Sequence, residues 1–153
     1  MMQKIASFQV NHLKLERGMY ISRIDGDIVT YDIRMCRPNG GAYLENAGLH
    51  TFEHLFATYV RSGSFSPNVV YVGPMGCRTG FYFLVRGISH ADTIRLVQDA
   101  FAFIKDFEGD IPGASEIECG NYLDHDLAQA KGYAAEMCAV LNSYTEARLQ
   151  YAE

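Results

Sequence analysis

Tyr20-Ile21-Ser22-Arg23-Ile24-Asp25-Gly26-Asp27-Ile28-Val29-Thr30-Tyr31-Asp32-Ile33-Arg34-Met35-Cys36-Arg37 decides how this chain is built. Two runs rich in β-branched and aromatic residues flank Asp25-Gly26, a dipeptide suited to a sharp reversal. Residues 20–24 and 27–37 are therefore predicted to pair as an antiparallel hairpin. Side chains alternate across a strand, so Val29, Tyr31, Ile33 and Met35 form an apolar face that should meet the core. Ile28, Thr30, Asp32, Arg34 and Cys36 share the opposite face, which points Arg34 away from the core. Pro38-Asn39-Gly40-Gly41 ends the strand.

Beyond the hairpin, a helix is expected from Asn46, as N-cap, to just before Gly63, with Leu49, Phe52, Phe56, Tyr59 and Val60 as its apolar stripe. Val69 to Val72 and Phe81 to Val85 read as strands around Gly73-Pro74-Met75-Gly76-Cys77-Arg78-Thr79-Gly80, a glycine-rich connection that can aim the Cys77 side chain with little crowding. Ser89-His90-Ala91-Asp92 resembles a capping box with Asp in place of Glu. It opens a helix that ends near Gly109 and buries Ile94, Val97, Phe101 and Ile104, leaving His90 on the surface of the first turn. A last helix is expected over Leu123–Leu141, packing through Leu127, Ala130, Ala134, Met137 and Leu141, with Cys138 as a small residue beside that stripe. Strands in hairpins with helices between and after them predict an α+β fold, an antiparallel sheet packed against helices in a single layer-type domain over residues 1–153.

The composition fits that reading. The 153 residues are 48% hydrophobic and 20% charged, the balance of a globular domain with a real core. A formal charge of −5 without a basic cluster argues against a nucleic-acid-binding face. No apolar run reaches membrane-spanning length, and Met1-Met2-Gln3-Lys4-Ile5 lacks a basic region followed by an apolar stretch, so a soluble cytoplasmic protein is the expectation. In a reducing compartment the four cysteines, Cys36, Cys77, Cys119 and Cys138, are ligands, nucleophiles or packing residues rather than disulfides. No C-x-x-C pair is present.

His50-Thr51-Phe52-Glu53-His54 carries the chemistry. On a helix the two imidazoles lie one turn apart, and Glu53 falls on the same side as His50 but offset from His54, facing a bound ion without ligating it. An H-x3-H pair alone is more often an accident of a solvated face. The H-x-x-E-H pattern is also the signature of inverzincin peptidases, in which the glutamate activates a zinc-bound water. Those enzymes are much longer than this chain and take a downstream glutamate as third ligand.

Tyr31-Asp32-Ile33-Arg34, Gly73 through Tyr82, and Glu118-Cys119-Gly120 join His50–His54 in an order that resembles the S-ribosylhomocysteine lyase, or LuxS, family; Ser7, Phe8 and His12 match its start. The resemblance implies that His50, His54 and Cys119 bind one divalent metal, with water or a substrate oxygen in the remaining position. Two neutral imidazoles and a thiolate suit such a borderline-soft ion. The family uses iron(II), which zinc or cobalt readily replaces. The implied reaction cleaves S-ribosylhomocysteine to homocysteine and 4,5-dihydroxy-2,3-pentanedione, the autoinducer-2 precursor. Two carbonyl shifts through metal-stabilised enediolates precede a β-elimination that expels the thiolate.

In this resemblance Cys77 and Glu53 are the two acid/base residues. Free thiols ionise near pKa 8.5, so a carbon acid/base thiolate requires a neighbouring cation, Arg78 or Arg34, or the metal itself. Ser7, His12 and Arg34 are similar to residues that hold the substrate's hydroxyls. A homodimer with sites at the interface is also implied. Tyr71 stands where many family members have an aspartate that receives the substrate's amino-acid end; it offers a hydroxyl in place of a negative charge. The remaining alternatives are a small zinc peptidase and a non-catalytic metal-binding domain.

Overall fold

The computed structural model describes residues 1–153 and shows four antiparallel strands and four α-helices. They follow one another as α1 (Ala6–Gln9), β1 (Gly18–Asp25), β2 (Ile28–Arg34), α2 (Asn46–Val60), β3 (Val69–Pro74), β4 (Gly80–Arg86), α3 (His90–Lys105) and α4 (Leu127–Val140). The sheet order is β1-β2-β4-β3, with every neighbouring pair antiparallel. This is the expected α+β class.

The opening hairpin forms as read, with its turn displaced by one residue. Asp25 pairs with Ile28, so Gly26-Asp27 is the turn, and Gly26 takes the positive φ of 61° required at its first central position. β2 leaves the sheet after Arg34, because the amides of both Met35 and Cys36 turn to the Thr79 carbonyl. Tyr31, Ile33 and Met35 are buried under the helices, as their alternation requires.

On the opposite face the structure adds a cover that the strand pattern does not show. Arg34 does point away from the core, yet it is only 3% exposed and Asp32 only 1%, because the C-terminal tail folds back over them through Tyr151. That return is a contact 119 residues away in sequence, invisible to any local pattern.

The core is aromatic. Phe52 and Phe56 of α2 meet Phe81 and Phe83 of β4 and Phe101 of α3, at centroid separations of 5.0–6.2 Å. The stripe predicted for α3 is buried throughout, and Ser89 caps that helix by accepting the Asp92 amide at 3.1 Å. His90 is not a free surface residue. Its Nδ1 lies 2.5 Å from the hydroxyl of the buried Tyr31.

Several helix boundaries differ from expectation, among them the end of α3 at Lys105 rather than near Gly109. Glu45, not Asn46, is the N-cap of α2. α4 starts at Leu127 behind the N-cap Asp126, which accepts the Gln129 amide at 2.9 Å. The residues just before Asp126 are drawn off to the site described next. Gly48 lets α2 and α4 approach closely, since a Cβ there would stand 2.6 Å from that of Gln129.

Candidate metal centre

α2 turns His50 and His54 toward the long connection between α3 and α4, and that connection supplies two further donors. The ligand atoms of His50, His54, Cys119 and His125 all lie within 4.8 Å of one another, and all four residues are half-buried. Cys119 Sγ is 3.4 Å from His50 Nε2 and 4.0 Å from both His54 Nε2 and His125 Nε2. Such spacings match neighbouring ligands of one tetrahedral ion, which stand roughly 3.5 Å apart when metal–ligand bonds are about 2.0–2.3 Å.

The outer hydrogen bonds fix which ring nitrogens face inward. His50 Nδ1 lies 2.7 Å from the Asp124 carbonyl and His54 Nδ1 2.8 Å from that of Pro112. A carbonyl only accepts, so both Nδ1 atoms carry the proton and both Nε2 atoms offer a lone pair to a metal. His125 differs: its Nδ1 faces the Thr51 hydroxyl at 2.8 Å, a group that donates as well as accepts. Its Nε2 is therefore not committed to ligation. Burial, reinforced by the nearby His50 and His54, holds His125 below the usual imidazole value, which keeps it neutral.

The connection is anchored at both ends. Asp126 donates its amide to Thr51 Oγ1 at 3.0 Å and to the Ala47 carbonyl at 3.3 Å. The Cys119 amide closes a turn on Ser115 at 3.0 Å, while the Asn121 amide lies 3.5 Å from Cys119 Sγ. The donor set therefore fits a divalent ion of borderline softness. Glu53, half-buried on α2, is not among the four clustered residues.

Cys77 is exposed in the β3–β4 connection. Met75 to Arg78 form a turn closed by the Arg78 amide to the Met75 carbonyl at 3.0 Å, with Gly76 and Cys77 at its centre. The turn is bound to the segment leading into α2: Leu44 N donates to the Arg78 carbonyl at 2.9 Å, and Arg78 Nη1 to the Leu44 carbonyl at 3.0 Å. Gly80 permits the crossing, since a Cβ there would stand 2.1 Å from the Ile33 carbonyl oxygen.

Of the two cations considered for Cys77, Arg78 is thus directed toward Leu44. Arg34 reaches Thr79 Oγ1 at 2.9 Å, and Thr79 Oγ1 is 3.0 Å from Cys77 Sγ. Burial opposes the Arg34 charge, but the hydrogen bonds and charge of Asp32 outweigh it and hold the guanidinium above its ordinary value.

Ser7 and His12 lie in the N-terminal segment. Ser7 shares a hollow of about 310 Å³ on the outer sheet face with Tyr71, Tyr82, Ser22 and Thr30, while His12 Nδ1 bonds the Val10 carbonyl. Neither belongs to the histidine–cysteine cluster. Tyr71 is 55% exposed, its ring lying over Gly73. Cys36 and Cys138 are half-buried against the core, and burial pushes both thiols up, as packing residues require.

His125 is the site residue that sequence reasoning missed. Its signal was its place six residues after Cys119 and just before a helix N-cap, a spacing that takes meaning only once the connection is seen to wrap α2.

Residues 5–147 match the model of the family described as S-ribosylhomocysteinase (LuxS). A Clostridium acetobutylicum protein named S-ribosylhomocysteine lyase is 47% identical over 99% of this chain and 100% of its own length. A Porphyromonas gingivalis protein of the same name is 48% identical over 98% of this chain and 99% of its own. One from Finegoldia magna is 43% identical over 99% and 100%, respectively. With a histidine–cysteine cluster able to hold a metal, the thiol-bearing turn and these relatives in agreement from end to end, the chain belongs to the LuxS S-ribosylhomocysteinase family of lyases.

Proposed function

We propose that this protein cleaves S-ribosylhomocysteine to homocysteine and 4,5-dihydroxy-2,3-pentanedione, using one divalent metal per chain. The observation that carries the reading is the convergence of His50 Nε2, His54 Nε2 and Cys119 Sγ, with both Nδ1 atoms committed to carbonyls, in a chain of this family. His50, His54 and Cys119 hold the ion, iron(II) in the cell with zinc or cobalt as replacements, and His125 stands beside them. When bound, the ion supplies Lewis-acid stabilisation to the sugar oxygens as the carbonyl moves along the chain.

Cys77 takes and returns the protons on carbon. Its exposure lets a substrate reach Sγ, and Arg34, acting through Thr79, supplies the positive field. Glu53 moves protons among the substrate oxygens and serves the elimination across C4 and C5. Ser7 and His12 hold the hydroxyls, whereas Arg34, buried and engaged by Asp32 and Thr79, contributes its charge rather than a substrate contact. The hollow shared by Ser7 and Tyr71 receives the amino-acid end, with the Tyr71 hydroxyl and ring facing the ammonium.

The N-terminal segment exposes Ile5, Phe8 and Leu13, apolar surface that favours pairing of two chains, and in such a homodimer Ser7 and His12 complete the partner's site. The enzyme works in the cytoplasm as one catalytic unit over residues 1–153. No helix is long and apolar enough to cross a membrane. Thiol release from S-ribosylhomocysteine by anaerobic, metal-loaded protein tests the reading, and release no faster than background would overturn it.

A further inference from the structure

A buried polar chain runs from the C-terminal tail to the Cys77 sulfur. Tyr151 donates its hydroxyl to Asp32 Oδ2 at 2.6 Å. Asp32 receives Arg34 in a two-point grip, Nη2 on Oδ2 at 2.6 Å and Nε on Oδ1 at 3.1 Å. Arg34 Nη1 donates to Thr79 Oγ1 at 2.9 Å, and that oxygen lies 3.0 Å from Cys77 Sγ. Asp32, Arg34 and Thr79 are 1%, 3% and 2% exposed, so water does not compete for these bonds.

We infer that Asp32 and Tyr151 are positioning residues for the reaction: they hold Arg34 so that its guanidinium engages Thr79 and turns the Thr79 hydroxyl proton toward Cys77. Donor chemistry sets the direction of the chain. A guanidinium has no acceptor, so Thr79 Oγ1 must receive Arg34 Nη1; a Cys77 thiolate can only accept, so when sulfur is ionised the Thr79 proton points at it. Asp32 grips two nitrogens of the planar fork and leaves the third free for Thr79, which fixes the rotation of the whole group.

Tyr151 donates to the same carboxylate oxygen that receives Arg34 Nη2 and is itself stacked on Tyr20 at 5.0 Å with the rings 16° apart. Burial, with the Asp32 charge added, drives the Tyr151 phenol well above its usual value, which keeps it a donor. The inference rests on the proposed role of Cys77 and extends it to residues that never touch the sulfur.

The charged or titratable groups facing Cys77 include Arg34 on β2, Tyr82 on β4, Cys36 just beyond β2 and the adjacent Arg78, whose Nη1 is turned to the Leu44 carbonyl, with Asp32 and Tyr151 behind Arg34. A merely electrostatic role for Asp32 and a positioning role therefore predict opposite signs. Removing a nearby negative charge would by itself favour the Cys77 thiolate and move its reactivity to lower pH. Releasing Arg34 from its grip moves it to higher pH.

The test uses full-length, zinc-loaded protein, in which the metal shields Cys119. Alkylation of Cys77 by iodoacetamide is followed across pH by peptide-resolved mass spectrometry. Asp32→Asn is expected to raise the midpoint of the profile by about one pH unit, the size of one lost close counter-charge, and to lower kcat more than it changes KM. Asp32→Glu should recover part of the shift. Tyr151→Phe, which removes one oxygen from the tail and tests the proposal even if Asp32→Asn does not fold, should slow alkylation at pH 7 about twofold.

A profile that stays in place or moves to lower pH in folded Asp32→Asn or Tyr151→Phe protein overturns the inference. Turnover by Cys77→Ala would instead remove the proposed role of Cys77. The alkylation profile, which needs no substrate, would still decide the positioning.

Discussion

At the residue scale, the proposed reading assigns His50, His54 and Cys119 to an ion and Cys77 and Glu53 to proton transfer, and single substitutions distinguish the two groups. Cys77→Ala is expected to lower kcat by about a thousandfold or more while metal content stays at one per chain, read by elemental analysis beside the thiol-release assay. Cys119→Ala should do the reverse at the first step and fail to retain metal on gel filtration. Glu53→Gln keeps the metal and is expected to lower kcat by about 10²–10⁴, the usual worth of a positioned acid/base.

Thr51 marks a different kind of dependence. Fully buried, it receives the Asp126 amide and meets His125 Nδ1. Thr51→Val leaves His125 Nδ1 without its partner and the Asp126 amide with only its longer bond to Ala47, and should cost about 1–3 kcal/mol in denaturant unfolding.

Among the elements, α2 is both scaffold and ligand carrier. Its inner stripe packs on β4 and α3 through Phe52 and Phe56, while its other side presents His50 and His54. Phe56→Ala is therefore expected to destabilise the protein by about 3–5 kcal/mol, measured by chemical denaturation, because no neighbour can fill the space of a fully buried ring.

The apolar periodicity of α2 and α3 and the alternation in β2 were legible from the sequence because each reflects burial against one surface. What escaped was set by distant contacts. The late start of α4 follows from Asp126 binding Ala47 and Thr51, and the covered outer face of β2 follows from Tyr151. The grouping of His50, His54 and Cys119 was legible through motif order; His125 needed the connection itself, since a histidine before a helix cap carries no signal alone. His90 was misread for a similar reason, because its partner Tyr31 is 59 residues away.

For the whole molecule, the sheet carries helices on one face and chain termini on the other. The helical face holds the core and the histidine–cysteine cluster, and the outer face holds Arg34, Tyr82 and the Tyr71 hollow. The link between them is the β3–β4 connection, bound on one side to Leu44 and on the other to the end of β2.

The central claim is that this arrangement performs metal-dependent cleavage of a thioether, and one measurement tests it most directly. Protein loaded anaerobically with iron(II) or cobalt(II) is given S-ribosylhomocysteine, and released thiol is counted against metal content, with Cys77→Ala alongside. The account predicts steady release of homocysteine by the loaded protein and none above background from the variant with its metal still bound. Loaded protein that releases no thiol, or a Cys77→Ala protein that releases it at the parent rate, would contradict the account.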